Sequence, residues 1–263
     1  MGRTIVVTAG KGGVGKTTIT ANLGASLSKL GRKVVLVDMD IGLRNLDVVM
    51  GLENRIVYNI MDIAEGRCKI NQALVRDKRQ SGLFLLPASQ VHTKEDVDID
   101  SIVSIISAIE NSFDYVLLDS PAGIEKGFES AVAPSKEGLV VVTPDVSSVR
   151  DADRVIGLLE NRGILGLSLV VNRYDVDLVN RKKMLNADSI VEILGLDLVG
   201  IVPEDKAVID STNRGEILVN YYANTIAARA FENVARRIEG ENVPFVSLNS
   251  QNKGFMKFFR RGK

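Results

Sequence analysis

Cysteine and histidine are almost missing from this sequence: Cys68 and His92 are the sole representatives in 263 residues. One thiol excludes a disulfide framework and any paired-cysteine metal centre. One imidazole excludes histidine-rich metal sites and leaves most catalytic triads without a base. Cys68 reads as an indifferent thiol and His92, in a polar stretch, as a loop residue. Net charge is absent as well, because 33 basic and 33 acidic residues cancel. That argues against a globally basic nucleic-acid binder and leaves only local patches. No apolar run approaches the ~20 residues of a membrane-spanning helix. Met1-Gly2-Arg3 leads straight into a strand-like run with no signal-peptide pattern, so a cytosolic protein is expected. There are no internal repeats and no low-complexity tracts.

What is present begins at the N-terminus. Thr4 to Thr8 is a short apolar run of strand character, and Thr17 to Leu30 has a helical pattern. Between them lies Gly10-Lys11-Gly12-Gly13-Val14-Gly15-Lys16-Thr17-Thr18. Gly10, Gly15, Lys16 and Thr17 satisfy G-x-x-x-x-G-K-[ST], the phosphate-binding loop, in the strand–loop–helix setting that the motif requires. Glycines let backbone N–H groups turn around phosphate oxygens, and the helix N-terminus adds a favourable dipole. Lys16 is suited to neutralising β- and γ-phosphates, and the Thr17 hydroxyl to binding Mg²⁺. Lys11 is unusual. So early a lysine cannot easily fold back onto the phosphates of its own loop, but it is placed to reach those of a facing subunit.

Further along, Lys33 to Val37 reads as a buried strand ending in Asp38-Met39-Asp40. Ligands in open α/β sheets bind beyond the carboxyl ends of strands, which places both aspartates near the phosphates. A polar, glycine-containing turn spans Ile41 to Asp47. Tyr58 to Ala64 reads as a helix, Leu83 to Pro87 as a strand and Ile99 to Ile109 as a helix with one apolar face. Tyr115 to Leu118 ends in Asp119, a strand poised to hold Mg²⁺ through water. The loop Ser120-Pro121-Ala122-Gly123 follows, and its Gly123 N–H is placed to feel a γ-phosphate and to order or relax with it. Gly138 to Pro144 is a strand, Ser147 to Asn161 a charged amphipathic helix, and Leu167 to Val171 a strand followed by Asn172-Arg173-Tyr174-Asp175. That tetrapeptide sits where GTPases carry Asn-Lys-x-Asp, so ATP and GTP are both open, with ATP preferred. Val199 to Val202 is the last strand, and Ala223 to Ile238 the closing helix. Strand–helix alternation implies a single-domain α/β fold, a mainly parallel twisted sheet flanked by helices.

The end of the chain differs in character. Gly240 to Asn252 is rich in Gly, Pro, Asn, Ser and Gln and reads as a flexible linker. Residues 253–263 then hold four large apolar and five basic side chains. At 100° per residue Phe255, Met256, Phe258 and Phe259 fall within an arc of roughly 160°. Lys253, Lys257, Arg260 and Arg261 occupy the opposite arc. Such a helix suits an anionic bilayer surface.

Taken together, these motifs resemble the deviant phosphate-loop ATPases of the ParA/MinD family, and within it the septum-site-determining members. The resemblance covers essentially the whole chain and implies domains at 1–239 (ATPase), 240–252 (linker) and 253–263 (membrane helix). It implies ATP and Mg²⁺ as cofactors and an ATP-dependent homodimer in which Lys11 crosses to the partner's phosphates. Asp38 is expected to help hold the Mg²⁺ shell, Asp40 to orient the attacking water, and Asn45 to contact water or γ-phosphate. Asn172 is expected to contact adenine, with Pro203 and Asp205 lining the base pocket. Arg150, Asp151, Asp153 and Arg154 match a partner-binding helix face. Implied partners are MinC, MinE or another topological factor, and the membrane, with no specific nucleic acid. Flagellar-number ATPases of the same family carry a similar tail, and DNA-segregation ATPases share the loop. Both remain alternatives.

Overall fold

The computed structural model describes residues 2–93, 96–124 and 127–248. The expected membrane helix, with Phe255, Met256, Lys257, Phe258, Phe259, Arg260 and Arg261, lies outside the described residues, as do positions 249–252 of the expected linker.

The chain alternates strand and helix from its start. The strands are β1 (Arg3–Thr8), β2 (Val34–Asp38), β3 (Val75–Arg76), β4 (Leu83–Leu86), β5 (Tyr115–Asp119), β6 (Glu137–Val142), β7 (Gly166–Tyr174) and β8 (Asp197–Pro203). The first six helices are α1 (Lys16–Lys29), α2 (Leu46–Met50), α3 (Ile60–Ala64), α4 (Ile70–Ala73), α5 (Ile99–Glu110) and α6 (Phe128–Val132). They are followed by α7 (Val146–Asn161), α8 (Val176–Asn180), α9 (Ala187–Leu194), α10 (Lys206–Asn213), α11 (Leu218–Tyr221) and α12 (Ile226–Ile238). The strands form one sheet in the order β3-β4-β2-β5-β1-β6-β7-β8. All pairings are parallel except that of β3 with β4.

The central strands are apolar at nearly every position because both faces are covered. Successive residues feed opposite cores. Ile5, Val7, Leu36 and Leu117 pack with Leu23 and Leu27 of α1 and with Phe231 and Val234 of α12. Val6, Val35, Val116 and Leu118 pack with Ile102 and Ile106 of α5 and with Val149 and Val155 of α7. This order sets the carboxyl ends of β1, β2 and β5 side by side, with Asp38 in register with Asp119, and Asp119 with Val7.

The structure departs from the sequence reading in several places. α2, α4, α6 and α8 to α11 occupy stretches with no expected helix. They are one or two turns long, and three are started by local caps: Asp175, Asn186 and Asp205 accept from backbone N–H groups of their own first turns. β7 continues to Tyr174, so Asn172 and Arg173 stand on the strand end and not in a loop beyond it. α12 starts at Ile226 because Thr225 caps it, its hydroxyl accepting from Ala228 N–H at 3.1 Å. Residues 241–248, read as flexible linker, are strapped to α12. Arg237 donates to the Val243 carbonyl at 3.0 and 3.1 Å, Asn233 donates to the Pro244 carbonyl at 3.1 Å, and the Arg237 guanidinium lies 3.9 Å from the Phe245 ring centroid.

Candidate nucleotide-binding site

The phosphate loop joins β1 to α1, and its glycines are there for contact as well as for conformation. Gly15, at φ 90, starts α1, and a Cβ on it would lie 2.3 Å from Asn172 Nδ2. That amide donates to the Val14 carbonyl at 2.7 Å and holds the loop from below. A Cβ on Gly10 would lie 2.3 Å from the Asp151 backbone, so α7 presses directly on the loop. α1 has no side-chain cap and no acidic residue in its first turn. Its leading N–H groups therefore have no intramolecular competitor for an anion.

Side chains converge behind the loop. Lys16 is buried, with Nζ 3.2 Å from Asp119 Oδ1. Thr17 Oγ1 donates to Asp119 Oδ2 at 2.7 Å, and Thr20 Oγ1 donates to Asp119 Oδ1 at 3.0 Å. Asp38 is 1% exposed and accepts three backbone N–H groups, from Asp40 at 3.0 Å, Asn45 at 3.0 Å and Leu46 at 3.1 Å. Burial, and then the neighbouring Asp119 charge, push its carboxyl up to about 7. The two buried carboxylates thus stand in register, and Lys16 reaches Asp119. A hydroxyl, two carboxylates, a lysine and uncapped helix amides are a donor set that fits Mg²⁺ and a polyphosphate.

The Asp38 bonds shape the next turn. Asp40 accepts at its carbonyl from Leu43 N–H at 3.1 Å and from Arg44 N–H at 3.2 Å. Asn45 is exposed at the start of α2. The loop Ser120-Pro121-Ala122-Gly123 is fastened too: Ser120 N–H donates to the Val7 carbonyl at 3.1 Å, and Gly123 N–H donates to the Ala9 carbonyl at 3.3 Å. For Gly123 to meet a phosphate, that second bond must be exchanged. Pro121 lies buried between these two anchors.

Lys11 does not join this cluster. Its Nζ lies 2.8 Å from Asp145 Oδ1 and 2.8 Å from Ser147 Oγ, at the start of α7. Burial would raise the Asp145 carboxyl, but bonds from Lys11, Thr143 and Ser147 outweigh it and hold the group well below the usual carboxylate range.

A cavity of about 250 Å³ opens beside the loop, between Gly13, Gly15, Asn172, Pro203 and Asp205 on one side and α10 on the other. Asn172, Pro203 and Asp205 thus line one cavity beside the loop. Arg173 closes the rim, paired with Glu204 at 2.8 Å and donating to the Gly13 carbonyl at 3.3 Å. Asp175, the residue that would read guanine, instead caps α8 by accepting from Leu178 N–H at 3.0 Å and does not line this cavity.

Residues 5–219 match the CobQ/CobB/MinD/ParA nucleotide binding domain. The septum site-determining protein MinD of Bacillus subtilis (strain 168) is 52% identical over 258 residues, covering 97% of this chain and 96% of that protein. The chain belongs to the MinD family. The MinC:MinD cell division protein complex of Aquifex aeolicus contains a chain that superposes with a TM-score of 0.87 at 50% identity, covering 93% of this chain and 99% of that one. MinD from Pyrococcus horikoshii OT3, complexed with Mg-ADP, gives 0.82 at 28% identity, covering 91% and 96%.

The expected partner face lies on α7. Arg150, Asp153 and Arg154 are exposed on α7, and Asp151 is half-buried with its backbone against Gly10. Sequence reasoning also missed several residues. Thr20 lies one turn beyond Lys16, and that spacing could have signalled it. Val208, Ile209 and Thr212 of α10 line the same cavity, but nothing in the sequence placed α10 there. Asp47 is wholly buried and pairs with Arg44 Nε at 2.7 Å, which pins the turn carrying Asp40 to the start of α2. Arg44 adopts φ 49 to do so.

Proposed function

We propose that this protein is an ATP hydrolase that dimerises on ATP, docks on the cytoplasmic face of the cell membrane through residues 253–263, and places the division septum by recruiting MinC. Hydrolysis, stimulated by MinE or another topological factor, releases it. The observation that carries this reading is the division between two lysines. Lys16 is buried and, like Thr17, meets Asp119, while Lys11 stands at the rim on Asp145 and Ser147. A lysine held outward from its own loop is positioned to leave for a facing subunit.

Within one subunit, the loop amides from Gly12 to Thr18, with Lys16, bind the phosphates. Thr17, Asp38 and Asp119 hold the ion. Bound Mg²⁺ supplies neutralisation of the charge on the transferring phosphoryl group. Asp40 orients water. Its role is positional. Asn45 assists at the start of α2. Asn172, Pro203 and Asp205 hold the adenine.

The tail links nucleotide state to location. Each large apolar side chain is worth at most ~1.5–3 kcal/mol on burial, and each basic residue near anionic lipid about 1 kcal/mol. Ordering so short a helix takes much of this back. One tail binds weakly. Two on one dimer bind far more tightly because the second insertion is intramolecular. The MinC:MinD complex among the relatives supports MinC as the partner.

The test is cosedimentation with anionic liposomes, with ATP against ADP, for full-length and Phe255→Glu proteins. Pelleting that needs ATP and is lost in the variant is the expected result. Equal behaviour in all four samples overturns membrane attachment and favours the DNA-segregation alternative. Salt-sensitive binding to arbitrary duplex DNA by a chain lacking residues 253–263 would then distinguish it.

A further inference from the structure

Two helices that serve different parts of the site end against each other. α2 finishes at Gly51 and α10 runs out at Gly215, both glycines at φ 62. A Cβ added to Gly51 would lie 2.4 Å from the Gly215 carbonyl oxygen. One added to Gly215 would lie 2.7 Å from Gly51 Cα and 3.2 Å from the Val48 carbonyl oxygen. The contact is backbone on backbone. No side chain intervenes that could change rotamer, so displacement of one helix end must move the other or open a gap between them.

Each helix is committed elsewhere. α10 lends Val208, Ile209 and Thr212 to the wall of the base cavity. α2 begins with the Asn45 and Leu46 N–H groups that bind Asp38 Oδ2. At five residues α2 is only about 7.5 Å long. It is tied at both ends, by the Arg44–Asp47 pair at its start and by Lys78 Nζ donating to the Gly51 carbonyl at 2.9 Å. It is built to move as one piece. A path of direct contacts therefore runs from the base cavity through α10, Gly215, Gly51 and α2 to the turn that holds Asp38 and Asp40.

We propose that Gly51 and Gly215 are positioning residues: their contact relays the seating of the base against α10 to the Asp38–Asn45 turn. The nucleoside, and not the phosphates alone, then orders the loop that orients water. The relay rests on the nucleotide reading of the cleft given above. Coupling of this kind is reciprocal, so an ordered turn also favours the seated base.

The test is hydrogen exchange of the α2 amides in the full-length protein with Mg²⁺ and either saturating ADP or saturating pyrophosphate, which lacks the base. In the wild type ADP should slow exchange over residues 45–50 by about fivefold or more beyond pyrophosphate. Gly215→Ala and Gly51→Ala should each lose that excess. Both place alanine at positive φ, so Gly195→Ala is the matched control. Gly195 also ends a helix at φ 66, but a Cβ there meets no atom within 4 Å. It should keep the excess. Equal protection by the two ligands in a wild type that binds ADP by calorimetry overturns the relay, and this comparison requires no variant to fold. Excess that survives both contact variants, or that vanishes in Gly195→Ala as well, also overturns it. A wild type that binds no ADP overturns the nucleotide reading and the relay with it.

Discussion

At the scale of the residue, Asp38 shows how a motif position acquires its properties. The carboxyl at the end of a buried strand is cut off from water, and its neighbour in register is a second buried carboxylate. Its folded value of about 7 exceeds the ordinary 3.8, so the folded chain keeps a proton that the unfolded chain has lost between roughly pH 4 and 7. Stability must therefore fall as pH rises through that window and level off above it. Between pH 5 and 8 the nucleotide-free wild type should lose on the order of 2–3 kcal/mol more than Asp38→Asn, read by urea unfolding at a series of pH values. Parallel stability curves for the two proteins would remove the buried-carboxylate account. Asp40 calls for a different outcome. On the proposed role of orienting water without holding the nucleotide, Asp40→Ala should bind ATP within about twofold of the wild type yet hydrolyse it at least about tenfold more slowly. Wild-type turnover in that variant would take the role away.

At the scale of the element, the turn between β2 and α2 depends on a pair that no motif announced. Asp47 is fully buried and Arg44 is its ion partner. Removing one member of a buried pair leaves an uncompensated charge. Arg44→Ala should destabilise the protein by about 3–5 kcal/mol, measured as a lowered urea midpoint with an unchanged slope. A loss under about 1 kcal/mol would mean that water reaches Asp47. The phosphate loop was legible because its chemistry is contiguous: glycines, lysine and threonine within nine residues, between a strand and a helix. The Asp119 strand was legible as four apolar residues ending in a carboxylate. α8 to α11 were not. Each is too short for an apolar period to stand out, and each is fixed by a cap or by docking on a neighbour.

At the scale of the molecule, the sheet order brings three separate strand ends to one edge, and α7 covers the loop from the side. Lys11 is thereby held on Asp145 and Ser147, away from Asp119. Lys11→Ala should retain ADP affinity within about twofold while losing the ATP-dependent dimer in sedimentation velocity. A variant that still dimerises on ATP would place the dimer contact elsewhere. The strap of residues 241–248 on α12 shortens the free reach of whatever follows it, so an ATP-driven dimer would present both chain ends from fixed points on its surface.

The sequence by itself determined the class of fold and the phosphate chemistry. Buried strands reveal themselves as unbroken apolar runs, and a phosphate cradle needs particular residues close together in the chain. It also named Asn172, Pro203 and Asp205, though through family resemblance and not through any pattern of their own. Only the tertiary structure decided which side chains share a carboxylate, that Lys11 points outward, that Asp151 is packed under the loop, and that Gly51 meets Gly215. Those facts depend on contacts between residues far apart in the chain. Such contacts are set by the order of strands in the sheet and by how closely the helices over it can approach.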